Sequence, residues 1–431
     1  MTRDEIFDAI HTLLADQMAH PHMQGFALDA RLNEDLYLDS VLILQILLNL
    51  ELDYNLPMPE EAIASQELET VEDLVALYVP KLAVPAFPMT GGTTDEGVHG
   101  EAYYDIKVHC FVSCVCDGLK RQGLDQRPFY FGVWDAKFTV SDQFELLYHS
   151  PEIKQDFFRD WFTQLYRVPI REWYEPAKSK QENLATLVDL VESRPETGSV
   201  MVMLDMFHLP ERENKFNQNP FPHYLMLQTT ADPEKWFVHD PDYRWEGEIE
   251  RKTVINAVMQ PTVGGGYVFD NALARNPAPE DLKAYFEACF VPDRNQITDA
   301  VRSIVTAHME ERAGLTLAGL THAVRELPII AIRKYAYEHG FAFFWRALKL
   351  PSAEFERWCE EIEALFQALK NLHYTCMKLG QTADRSHAAS VFHRLDEADR
   401  LEFKLKARLG EVFDLWCDQN VPAMPLKRVA G

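Results

Sequence analysis

Apolar positions recur along this chain at intervals of three and four residues in several long stretches and alternate in only a few short ones, so helices are predicted to dominate. Arg3 to Met18 carries the spacing of an amphipathic helix. Leu36 to Leu50, LYLDSVLILQILLNL, reads as a strongly apolar helix headed by an Asp-Ser pair. A Pro-flanked turn, LPMPEEAIASQ, and a last helix beginning at Thr70 complete a small all-α, four-helix unit within residues 1–80. After Val79 the run PKLAVPAFPMTGGTTDEGVHGE mixes Pro, Gly and Thr with few periodic apolar positions, and residues 81–102 are expected to be a linker.

Residues 103–270 alternate helical stretches (Cys110 to Arg121, Gln181 to Ser193) with short β-like runs (Val200 to Leu204, Tyr224 to Gln228, Trp236 to Val238, Tyr267 to Phe269), the pattern of an α+β domain. In PFPHYLMLQTTADPEKWFVHDPDYRW two strands are joined by a turn at about Thr229 to Glu234. If Gln228 pairs with Lys235, an antiparallel register sets His223 opposite Asp240. Beyond Asn271 strand patterns stop, and Glu354 to Lys378 and Ala388 to Asp418 repeat at helical spacing. Residues 271–431 are therefore expected to be a helical bundle packed on the middle domain.

Length changes the picture little: 431 residues exceed one ordinary core, which agrees with several domains. Charge changes it more. The net charge is -25, which disfavours nucleic acid as a partner and favours cations. Residues 1–80 hold 16 Asp and Glu against two Arg and no Lys, so the first unit concentrates the acidity. Seven cysteines without paired CxxC knuckles fit free thiols in a reducing compartment rather than zinc, and no metal site is expected. No run is apolar for long enough to span a bilayer, and the start lacks a signal-peptide pattern, so a cytoplasmic protein is expected. The run TVGGGYVF leads into a strand without a following Lys-Ser or Lys-Thr, so it reads as a turn, not a phosphate loop.

Two places carry chemistry. Asp39 and Ser40 head an apolar helix, where free backbone N–H groups and the positive end of the dipole tolerate a phosphodiester. An ordinary N-cap is the plain alternative, and the order of helices around the pair decides against it. Second, His109 and Cys110 begin a predicted helix, where a thiolate is stabilised by the dipole. Cys110, Cys114 and Cys116 taken alone would be small core residues. His223 and Asp240 on facing strands alter that balance by completing a Cys-His-Asp set. His239 falls on the other face, and His208 in LDMFHLPER is a rival base. Oxyanion donors are expected from the start of the Cys110 helix, with Tyr104 or His109 as side-chain contributors.

The order of helices around the Asp-Ser pair resembles acyl and aryl carrier proteins, with Val41 where their motif has Leu. The HC-headed helix, HYLMLQ and HDP look like the papain-like fold of bacteriocin-processing cysteine peptidases, and are more similar to butirosin-type acyltransferases. LDMFHLP ahead of the histidine strand adds to that likeness. The domain order resembles the aryl carrier and aryltransferase pair of petrobactin pathways. That resemblance implies 4'-phosphopantetheine on Ser40, an aryl-acid AMP ligase and a phosphopantetheinyl transferase acting in trans, and 3,4-dihydroxybenzoyl transfer to a primary amine of spermidine or citryl-spermidine. Glu145, Asp205, Asp242 and Trp245 lie near the motifs and are candidate amine-binding residues. A thioesterase or other cysteine hydrolase, or a non-catalytic docking protein, are the rival readings. Delivery within one chain or across a homodimer is equally allowed.

Overall fold

A computed structural model describes residues 1–38, 40–57, 68–79, 108–210 and 220–421, without the side chains of 40, 41 and 273. Asp39, the turn LPMPEEAIASQ beyond residue 57, the linker and Tyr104 therefore lie outside the described residues.

The first unit begins with α1 (Arg3–Thr12), started by a capping box between Thr2 and Glu5 and prolonged by a π turn to Gln17. Helix α2 (Ser40–Tyr54) opens at Ser40, and α3 (Val71–Ala76) starts from a second capping box, Thr70 with Asp73. Ile6, Ile10, Leu13, Leu36, Ile46, Leu47, Leu50, Val71 and Leu74 form a core that Tyr374 and Met377 of the C-terminal region also join. A main-chain bridge between Arg31 and Thr70 ties the long loop to the last helix, and His20 bonds the Leu36 carbonyl at 2.6 Å.

The middle region is built on a six-stranded antiparallel sheet. Its strands are β3 (Arg171–Glu172), β4 (Gly198–Asp205), β5 (Pro222–Thr229), β6 (Lys235–Asp240), β7 (Trp245–Glu250) and β8 (Gly266–Asp270), after a small ladder of β1 (Thr139–Val140) with β2 (Leu146–Leu147). Their spatial order is β3-β8-β4-β5-β6-β7. Helix α4 (Cys110–Arg121) covers one face through Phe111, Cys114 and Val115. After α5 (Asp156–Tyr166), helices α6 (Lys180–Glu192) and α7 (Arg251–Met259) cover the other face through Leu187, Val191, Val254 and Ala257. At Gly118 of α4 a Cβ would fall 2.0 Å from the Asn271 amide nitrogen, which bonds the Val115 carbonyl; only glycine admits that approach.

Chain order then gives α8 (Pro279–Cys289), α9 (Gln296–Met309), the short α10 (Leu320–Ala323) and α11 (Leu327–Ala331), α12 (Ala336–Leu348), and a long antiparallel pair, α13 (Ser352–Thr382) and α14 (Ala388–Asn420). This C-terminal helical region shares one continuous apolar core with the α4 side of the sheet. Trp134 stacks on Tyr337 with centroids 4.9 Å apart, and Phe286 on Phe413 at 4.0 Å. Inside it lies an ionic cluster: Lys334 meets Asp135 at 2.8 Å and Glu402 at 2.5 Å, and Lys406 meets Asp135 at 3.1 Å.

The expected strand register is corrected. Thr229 pairs with Trp236 and Gln228 with Phe237, not with Lys235. Asp232 causes the two-residue shift: its carbonyl accepts from Lys235 N and its carboxylate from Glu234 N, so the loop stays wound until Lys235. Lys235 then pairs outward with Glu250 of β7, a strand not among those expected from the sequence.

Candidate active site

The sheet and helix α4 bring Cys110, His223 and Asp240 together. Cys110 is the first residue of α4 and half-buried; the other cysteines of the helix, Cys114 and Cys116, are buried. Cys114 donates to the Tyr224 carbonyl at 3.6 Å, and burial pushes both of these thiols well above their ordinary range. His223 enters near the start of β5, and its Nε2 lies 2.9 Å from Asp240 Oδ1 on β6. In the actual register the two residues are diagonal rather than opposite. A slip of two residues keeps both side chains on one face, so the pair survives it.

Electrostatics follow from that burial. Desolvation would lower the His223 pKa, but the Asp240 carboxylate and a hydrogen bond with Cys110 raise it to about 10. The Asp240 Oδ1 atom also accepts from Tyr243 N at 3.3 Å, which holds the carboxylate in place. With Nε2 engaged by Asp240, Cys110 is the other side-chain partner of the ring.

Helix α4 is fixed at its start by Asp242. Oδ1 accepts from Val108 N and His109 N at 3.2 Å each and from Ser113 Oγ at 2.7 Å. Burial raises its pKa, while His223 and the bond from Ser113 act against the rise. His109 caps the helix, its ring accepting from Val112 N at 3.5 Å; burial and the Arg333 charge push its pKa down to about 3, so it stays neutral.

Asp205 is buried, with Oδ1 accepting from Phe221 N at 2.8 Å and Phe207 N at 3.2 Å and Oδ2 from Thr262 Oγ1 at 3.3 Å. Neither Asp205 nor Asp242 turns its carboxylate to solvent. Glu145 is half-buried, 3.3 Å from His322 of α10. Trp245 pairs across the sheet with Asp240 and rests against the α6 and α7 side. His239 contacts Asp117 at 3.2 Å and Glu246 at 3.1 Å, a structural role, and His208 stands 4.0 Å from Asp205. A cavity of about 240 Å³ lined by Asp117, Arg121, Arg194 and Gln228 lies at the opposite end of α4 from Cys110. Among the described residues no group of three or more His, Cys, Asp or Glu is arranged to hold a metal, and no helix is long and apolar enough to cross a membrane.

Sequence reasoning missed Arg333 and Tyr148. The Arg333 guanidinium is buried and donates to the carbonyls of Ala136 at 3.1 Å, Lys137 at 3.3 Å and Tyr148 at 3.5 Å. Tyr148 in turn donates its hydroxyl to the Pro222 carbonyl, one residue before His223. Burial lowers the Arg333 pKa to about 10, and the charges of Cys110 and Tyr148 counter it, so this cation from the C-terminal region belongs to the surroundings of the thiol. The available signal was an Arg-Lys pair inside the apolar run LPIIAIRKYAYEHGF.

Comparison with known proteins adds the family. Residues 105–274 match the DUF6005 N-terminal domain and residues 280–427 the DUF6005 C-terminal domain. Over 312 residues, 72% of this chain and 95% of the relative, it is 41% identical to petrobactin synthase of Bacillus anthracis. The chain belongs to the petrobactin synthase family. A further 75 residues, 17% of this chain, are 31% identical to the acyl carrier protein AsbD of Bacillus anthracis and span 82% of it. This member of the family is thus a petrobactin-type fusion of a carrier with an acyltransferase. All three residues of the Cys-His-Asp set fall within the first of the two family domains, whereas Arg333 comes from the second.

Proposed function

We propose that the protein transfers an acyl group from a thioester on its own carrier unit to a primary amine, with Cys110 as nucleophile, His223 as proton carrier and Asp240 holding the imidazole. The observation that carries this reading is the 2.9 Å bond from His223 to Asp240 on a histidine whose second partner is the Cys110 sulfur. Similarity to a petrobactin synthase and to an acyl carrier protein within one chain supports a biosynthetic transfer over hydrolysis. The transferred group is read as 3,4-dihydroxybenzoyl and the acceptor as spermidine or a citryl-spermidine, in siderophore synthesis in the cytoplasm.

Ser40 is the attachment residue for 4'-phosphopantetheine. The fit rests on α2 beginning at Ser40, where first-turn N–H groups lack acceptors within the helix and suit a phosphodiester. When attached, that arm supplies the acyl group as a thioester. The aryl-acid ligase and the phosphopantetheinyl transferase act in trans on residues 1–80. The middle region, residues 103–270, is read as a papain-like domain, because the nucleophile heads a helix packed on an antiparallel sheet that bears the base.

In the first half-reaction the Cys110 sulfur attacks the thioester carbonyl carbon. The N–H groups at the start of α4 receive the developing oxyanion, the old C–S bond breaks, and His223 gives its proton to the departing thiolate. In the second, the amine attacks the acyl-Cys110 carbonyl, His223 takes the amine proton, and the C–S bond to Cys110 breaks to leave an amide. Asp242 fixes α4 for both halves, and acidic walls such as Glu145 attract a cationic acceptor.

The test loads the full-length chain with an aryl group, adds spermidine and follows the intact mass. Cys110→Ala is expected to show no acyl-enzyme and to form product slower by roughly a thousandfold or more. Product formation at an undiminished rate in Cys110→Ala would eliminate the covalent route.

A further inference from the structure

The first unit meets the C-terminal region on α13. Tyr374 and Met377 of α13 are buried, and both join the apolar core of residues 1–79. Beside them Glu51 of α2 is held at both oxygens: Oε1 meets Lys378 Nζ at 2.5 Å, and Oε2 accepts the Tyr374 hydroxyl. Burial would raise the Glu51 pKa, but the Lys378 and Tyr374 bonds more than offset this and lower it. Two directional bonds on one carboxylate, flanked by an apolar seat, fix an orientation; a diffuse attraction between an acidic unit and a basic surface would not.

The position of Glu51 on its helix matters. Helix α2 runs Ser40–Tyr54, so Glu51 is about 17 Å along the axis from Ser40 at a rise of 1.5 Å per residue. The grip is therefore at the end of α2 remote from the attachment residue. It orients the helix and leaves the Ser40 end uncovered by this contact. On its inner side α13 packs on α11 and on the turn Ile332–Tyr335, which contains Arg333. The same helix thus touches the carrier on one side and the frame of the active site on the other.

We propose that α13 is the docking platform for the carrier during transfer: Lys378, Tyr374 and Met377 grip the Glu51 end of α2, and this grip speeds delivery of the Ser40-borne cargo to Cys110. The proposal rests on the reading of residues 1–80 as a carrier modified at Ser40. It gives the helical third of the chain a function, and it makes the tether only part of the device: the linker raises the local concentration of the carrier, and the platform selects its orientation.

The experiment uses the full-length chain and four variants: Lys378→Glu, Glu51→Lys, the double exchange, and Glu51→Gln, which leaves α13 untouched. Before any loading, amide hydrogen exchange in the last two turns of α2 is expected to quicken roughly tenfold in both single charge reversals and to return to the wild-type rate in the double exchange. After loading, single-turnover discharge to spermidine is expected to slow roughly tenfold in the reversals, about threefold in Glu51→Gln, and to recover to within about twofold in the double exchange. Exchange and discharge unchanged in the single variants, or discharge that becomes faster, overturns the platform. A wild-type chain that cannot be loaded, or that loads and does not discharge, sinks the carrier-transferase reading itself, and the delivery role of α13 with it.

Discussion

At the scale of single residues, the buried pair of His223 with Asp240 sets the chemistry and its pH dependence. The pKa of His223 is raised from 6.5 to about 10, so the ring is an imidazolium at neutral pH. A raised pKa of this kind contributes stability that is fully present below 6.5 and is lost as pH climbs toward about 10. The melting temperature of wild type is expected to exceed that of Asp240→Asn by its full margin at mildly acid pH, where the carboxylate is ionised, with the margin closing between 6.5 and about 10. A gap that stayed constant to alkaline pH would mean the pair is not charged. In activity, Asp240→Asn leaves the shape of the site but removes the charge that holds the ring, and kcat/KM is expected to fall by roughly a hundredfold or more. Both residues could be picked out beforehand because each sits in a strand-like run with a turn between them.

At the scale of elements, helix α4 delivers the thiol, and what aims it is Asp242 from the loop after β6. Asp242 was selected in sequence as a residue for the amine. Its three bonds point instead to a positioning role, since replacing it strands two main-chain N–H groups and one hydroxyl in a buried place. Asp242→Ala is therefore expected to cost about 3 kcal/mol, and Asp242→Asn roughly 1 kcal/mol, read as a lower urea midpoint at unchanged slope. Destabilisation by Asp242→Ala of under about 0.5 kcal/mol, the range of an ordinary surface change, would remove that role. The ends of α4 itself were readable, because its apolar spacing and its Lys120 and Arg121 terminus are local properties. Strand β7 was not: WEGEIE alternates Trp, Gly and Ile with three Glu, but the glycine at the middle position leaves only two large apolar side chains to mark a strand.

At the scale of the whole molecule, the C-terminal helical region is part of the active site's frame, because its core is continuous with that of α4. The ionic cluster of Lys334, Asp135, Glu402 and Lys406 welds the turn Ile332–Tyr335 and α14 to the segment after Trp134. All four side chains are nearly inaccessible, and Tyr337 donates a further bond to Glu402 at 2.9 Å. Removing one charge from such a set leaves its partners buried and uncompensated. Lys334→Met is expected to destabilise by roughly 3 to 5 kcal/mol, measured by denaturant unfolding, and to lower transfer because Arg333 beside it loses its seat. A Lys334→Met protein as stable as wild type would show that the cluster is not a weld.

What the sequence determined by itself is what depends on near neighbours: the helices that begin at or near Arg3, Cys110, Glu354 and Ala388, four of the strands, the apolar helix that Ser40 opens, and the residue types that could form a nucleophile and its base. Periodicity and capping are local, so these were legible. The tertiary structure decided which residue faces which. A register two residues away from the expected one satisfies the same alternation, and only the Asp232-wound loop chose between them. The burial of Asp205 and Asp242, the approach of Arg333 from the distant turn Ile332–Tyr335 and the seat of Glu51 on α13 arise from contacts between positions far apart in the chain, and no spacing within a window records them.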